Sequence, residues 1–130
     1  MNRRGRFRSE LGRVGGLGSA KEGVSHWWTQ RVSALALVPL ALWFVAAVAA
    51  HTGAGHAAMV DWLSSPLSLG LMIALVVATF YHAQLGLQVV IEDYIGSEAC
   101  KMALVLLVKL ASLALGLTAV VALLVIAFGK

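Results

Sequence analysis

The chain has 130 residues, of which 60% are apolar and 12% charged, with a formal charge of +4. Soluble domains carry about 25% charged residues, so a water-exposed globule is excluded and a single domain within a bilayer is indicated. The positive charge does not describe a nucleic-acid surface, because seven of the ten basic residues (Arg3, Arg4, Arg6, Arg8, Arg13, Lys21 and Arg31) precede the first apolar block, a bias that in a membrane protein reports topology.

Residues 1–25 hold six glycines among scattered charges. With so little to bury, they are expected to form a basic tail, disordered or held loosely at anionic headgroups. A transit peptide would need an amphipathic helix, which the glycines oppose. Residues 26–130 form the expected membrane domain. Its first apolar block, 32–50, has nineteen residues and no charge. At ~1.5 Å each they cover about 28 Å, close to the ~30 Å hydrocarbon core of a bilayer, which predicts a span at about 31–51. A cleaved signal peptide would have a shorter leader and a shorter apolar core. Pro39 lies inside this span, where a neighbouring helix can satisfy the freed carbonyl.

The connection HTGAGHAAMVDWLSSP contains His51, His56 and Asp61 but no Lys or Arg, which marks the non-cytoplasmic side. Trp62 suits the headgroup level, and Ser64 or Ser65 before Pro66 offers a helix start. A second span is predicted at about 66–92 and a third at about 101–128. The charged EDYIGSEACK between them, with Lys101, returns to the cytoplasmic face. The expected fold is therefore an all-α membrane protein of three transmembrane helices, with a cytoplasmic amino terminus and an outside carboxyl terminus. Lys109 sits two turns into the third span and can snorkel back to the interface. The single cysteine, Cys100, has no internal disulfide partner and reads as a packing residue. No phosphate loop, cluster-binding Cys pair or metalloprotease helix is present.

Chemistry is concentrated on His82. An imidazole inside a span is costly and marks function by default. Asp93 follows eleven residues later, which puts His82 about 16 Å inside the boundary and turns the helix through about three full rotations, so the two share a face. Gly86 and Ala78 flank His82 one turn away on either side, leaving room for a flat, bulky partner. Close packing with a hydrogen bond to a Ser or Thr of another span accounts for the same pattern. As the chain offers one mid-membrane histidine, a six-coordinate haem there would need its other ligand from a partner. Arg31, beside His26, Trp27 and Trp28, reads as an interfacial anchor belt, or as a group that pairs with an anionic cofactor or shapes a quinone pocket.

The segment HAQLGLQVVIEDY, carrying His82, Asp93 and Tyr94, and the segment HWWTQRVSALALVPL around Arg31 resemble the small hydrophobic membrane anchor subunit of succinate dehydrogenase. The resemblance covers nearly the whole chain from His26 onward. It implies half of a heterodimeric membrane anchor that pairs with a second, cytochrome b-type anchor subunit. Together they would carry the flavoprotein and iron–sulfur subunits on the cytoplasmic face of a bacterial-type inner membrane, in preference to a mitochondrial one. By similarity, haem b is shared between the two anchors, with His82 one axial ligand of its iron and Arg31, accompanied by His26, near the propionates or the quinone pocket. Tyr94 would hydrogen-bond a ubiquinone carbonyl oxygen, and Asp93 beside it would assist proton uptake. The chain would then be a subunit of the dehydrogenase without a succinate site of its own. Two other readings stand beside this one: a small transporter or assembly subunit with a His82–Asp93 proton path, and the anchor of a quinol:fumarate reductase.

Overall fold

A computed structural model describes residues 19–129, with side chains from residue 23 onward. It consists of α1 (Ser19–Ala50), α2 (His56–Ser64), α3 (Pro66–Tyr94) and α4 (Glu98–Phe128), with no strand among the described residues. Three of these helices are long and apolar enough to cross a membrane, over Gly23–Ala50, Pro66–Tyr94 and Glu98–Phe128.

Three boundaries differ from the sequence reading, two of them before the second span. The tail expected over 1–25 is already helical from Ser19, and its residues 1–18 lie outside the described ones. Extending an existing helix needs no new nucleus, so α1 propagates outward through Gly23, whose cost of about 1 kcal/mol is spread over a long element. The connection 51–65 is not all loop, because α2 occupies nine of its residues. Its turn needs Gly53 at φ 84°, a left-handed conformation that glycine adopts without a Cβ clash.

The remaining boundaries follow from local chemistry. Ser65 is extended (φ −65°, ψ 138°), as a residue before proline prefers, and Pro66 supplies the first helical position, where its missing N–H is no loss. The Ser65 hydroxyl donates to the Trp62 carbonyl at 2.8 Å and so closes α2 while its backbone opens α3. The third span begins at Glu98, earlier than the sequence suggested, because Ser97 Oγ accepts from the Cys100 N–H at 3.5 Å. Glu98 then sits in the first turn, where a negative charge is favoured, and pairs with Lys101 at 2.9 Å.

The spans lie in a row. Helix α3 packs on α1 at one side and on α4 at the other, while α1 and α4 have no Cα atoms within 8 Å of each other among the described residues. Contact with α4 is close at Gly116, where an added Cβ would lie 3.4 Å from the Phe80 ring, the use of a small residue expected where helices approach in lipid. Leu85, Leu123 and Ala127 are the buried apolar side chains and Ser33 and Ser68 the buried polar ones. A core this thin suits a bilayer, where exposed leucine meets equally apolar acyl chains and helices are joined by packing and polar bonds instead.

Candidate functional site

The α1–α3 contact is organised by one polar chain. Ser33, 8% exposed, is held on α1 with its Oγ 2.9 Å from the Gln30 carbonyl oxygen and 2.9 Å from Nδ1 of His82 on α3. The bond between helices that the sequence allowed for His82 is thus formed, and it occupies one ring nitrogen. Nε2 has no bond and is not among the buried unsatisfied atoms, so it keeps some accessible surface. Such a bond between membrane helices contributes about 0.6 kcal/mol and at most about 2, enough to fix a rotamer and too little to hold the helices alone. Gly86 stands one turn from His82, and a Cβ there would meet just the Gln30 amide nitrogen, at 4.0 Å.

Toward the Gly23 end of the same contact the helices part around a cleft of about 490 Å³, lined by His26, Trp27 and Gln30 from α1 and by Gln88, Val89 and Glu92 from α3. Gln88 Nε2 donates to Glu92 Oε1 at 2.8 Å. His26 Nε2 is the one buried side-chain polar atom without a partner among the described residues. A polar group entering the cleft would find there a free imidazole nitrogen, two carboxamides and a carboxylate.

The other sequence candidates lie further out. Arg31 is exposed, its guanidinium carbon 5.5 Å above the Trp27 ring, and Trp27 stacks on Trp28 at 5.8 Å; this is the geometry of an interfacial belt, and it leaves the guanidinium accessible. Asp93 and Tyr94 end α3 and are both exposed. The fold thus gathers His82, Ser33 and Gln30 at the α1–α3 contact and His26, Gln88 and Glu92 with Gln30 in the cleft, and sets Arg31, Asp93 and Tyr94 on open surface around them. Sequence reasoning missed Ser33, Gln30, Gln88 and Glu92. The four-residue spacing of Gln84, Gln88 and Glu92 was a usable signal for a polar stripe on α3, whereas nothing in the sequence ties Ser33 to a residue 49 positions later.

Across the membrane segment, a cluster of His51, Trp62 and Trp43 links the far end of α1 to α2, with ring centroids 4.6 Å and 6.2 Å from Trp62. His51 Nδ1 bonds the Ala47 carbonyl at 2.8 Å. Both histidines at this end, His51 and the exposed His56, stand apart from His82, and no group of three metal-binding side chains forms among the described residues.

Residues 5–128 match the family described as succinate dehydrogenase/fumarate reductase transmembrane subunit. The chain belongs to this family. Among its relatives, the succinate dehydrogenase hydrophobic membrane anchor subunit of Rickettsia bellii (strain RML369-C) is 37% identical over 107 residues, covering 82% of this chain and 86% of the relative. The same-named subunit of Rickettsia conorii (strain ATCC VR-613 / Malish 7) is 32% identical, covering 80% and 83%, and that of Paracoccus denitrificans is 31% identical, covering 69% and 70%. No solved structure matches the chain. Family membership accounts for the three apolar helices and displaces the reading as a transporter.

Proposed function

We propose that this family member is the membrane anchor of a succinate dehydrogenase, holding haem b jointly with a second anchor subunit and completing a ubiquinone-reduction site. The observation that carries the reading is a mid-span imidazole whose Nδ1 is held by Ser33 at 2.9 Å while Nε2 stays open. The residues present fit half of a bis-histidine site. His82 would hold the iron through one nitrogen and Gly86 keeps the adjoining turn low; a further ligand would come from the other anchor.

When bound, the haem supplies a one-electron store between the peripheral iron–sulfur subunit and the membrane site. The chain's own residues hold and orient. His82 ligates through Nε2, and the exposed guanidinium of Arg31 pairs with a propionate carboxylate. The orphaned His26 nitrogen makes the cleft hospitable to a polar group such as a propionate or a quinone oxygen. At the end of α3 the Tyr94 hydroxyl donates to a ubiquinone oxygen, and Asp93 passes protons from water to the reduced ring. Quinone reduction consumes protons, which this exposed end can draw from water, and the reading puts it on the cytoplasmic side. The basic residues before α1 and their absence from residues 51–65 support that orientation, with the relatives pointing to a bacterial plasma membrane.

Purification through an affinity tag on this chain tests the proposal. A flavoprotein, an iron–sulfur subunit, a second small membrane subunit and a b-type spectrum are expected together. A purified complex without the flavoprotein and iron–sulfur subunits, or without any haem, refutes it.

A further inference from the structure

The hydroxyl of Ser33 has one proton and two lone pairs. One neighbour, the Gln30 carbonyl at 2.9 Å, can only accept, so the proton is committed to it. What remains toward His82 at 2.9 Å is a lone pair, and Nδ1 can meet it as a donor. The neutral imidazole is therefore the Nδ1–H tautomer, with its bare lone pair on Nε2. Ser33 is buried at 8% exposure, and the arrangement that makes both 2.9 Å contacts into hydrogen bonds is hydroxyl to carbonyl and Nδ1–H to hydroxyl; the reverse would leave two oxygens facing each other at 2.9 Å with no proton between them.

We propose that Ser33 is the positioning residue of the haem site: through Gln30 it selects the Nδ1–H tautomer of His82 and presents Nε2 as the ligating atom. This deepens the haem reading above and rests on it. A metal-bound histidine whose second nitrogen donates a hydrogen bond is a better electron donor to the metal, so Ser33 also sets how strongly His82 favours ferric over ferrous iron. The arrangement crosses between helices, since α1 supplies the hydroxyl and α3 the ring, and it makes the α1–α3 contact part of the electronic environment of the site.

The test uses the intact purified complex, comparing wild type with Ser33→Ala and Ser33→Thr by haem content, redox titration of the haem and its low-spin paramagnetic resonance spectrum. Ser33→Ala removes the acceptor, and the haem midpoint potential should rise with a displaced low-spin signal. Ser33→Thr keeps the hydroxyl and should restore both values. Haem content falling in Ser33→Ala and recovering in Ser33→Thr also supports the role. Wild-type potential and spectrum in Ser33→Ala overturn it, as does equal loss of haem in both variants, which would make volume the determinant. The haem reading itself fails separately, by a wild-type complex without haem or by a His82→Ala complex with undiminished haem.

Discussion

Tyr94→Phe removes one oxygen and leaves the ring. Tyr94 is the last residue of α3, is 82% exposed, and its hydroxyl has no hydrogen bond within the described chain. Deleting that oxygen breaks no contact of the subunit with itself, so its effect on folding should stay within about 0.5 kcal/mol, as for surface substitutions generally. Any larger effect must come from another molecule. A hydrogen bond donated to a quinone oxygen as charge builds on it is worth about 1–3 kcal/mol, which at about 1.4 kcal/mol per factor of ten is about 5- to 150-fold in rate. Ubiquinone-linked and dye-linked succinate oxidation should be measured in the same membranes, the dye drawing its electrons before they reach the anchor. The expected result is a fall of that size in the quinone-linked rate with the dye-linked rate unchanged. A quinone-linked rate within about twofold of wild type, under ~0.5 kcal/mol, refutes the donor role. An equal fall in both rates refutes the premise that this tyrosine supports nothing but the quinone.

Other consequences are as direct. His82→Ala should strip haem b from the purified complex while dye-linked activity persists; an unaltered b-type spectrum excludes His82 as a ligand. A cysteine at Gly55, where an added Cβ meets nothing within 4 Å, should react with an impermeant thiol reagent from the periplasmic side, whereas the native exposed Cys100 should react from the cytoplasmic side; the reverse pattern inverts the topology. Gly116→Leu drives a side chain into Phe80, whose ring lies 3.4 Å from the first added carbon. It should cost about 1–3 kcal/mol as overpacking, seen as a lower thermal midpoint of the complex, and Phe80→Ala in the same chain should recover part of the loss. Purely additive penalties for the pair would place the fault elsewhere.

Much of this fold is written in single residues. Long apolar runs, with Lys109 the one charge well inside them, announce the spans because burying charge in hydrocarbon is costly wherever the helix sits, and Ser65-Pro66 marks a start because the constraint is local. Helix α2 escaped notice since nine residues with His56 and Asp61 among them give no span-length apolar signal. The early start of α1 escaped for the opposite reason: its glycines favour coil one by one, and continuity with a long helix overrides them. His82 was legible from its cost alone. Its partner was not, because which face of α1 meets α3 depends on the rotation and order of the helices, which apolar composition does not encode. Arg31 and Tyr94 were legible as types of residue, and the fold leaves both on open surface.

Because α3 stands between α1 and α4, and these two do not approach each other, the subunit behaves as two joints in series. The Phe80–Gly116 joint braces the hairpin closed by residues 95–97, while the Ser33–His82 joint fastens α3 to α1. The two are linked along α3 and through α2, which meets α1 at Trp43–Trp62 and packs on α4; substitutions of Ser33 and Gly116, which touch different side chains, should still combine additively. Separability of this kind gives the lineage latitude: the surroundings of His82 can drift through α1 while the hairpin that keeps α3 upright is retained, and the hairpin can adapt to a different lipid thickness while the Ser33–His82 bond stays as it is.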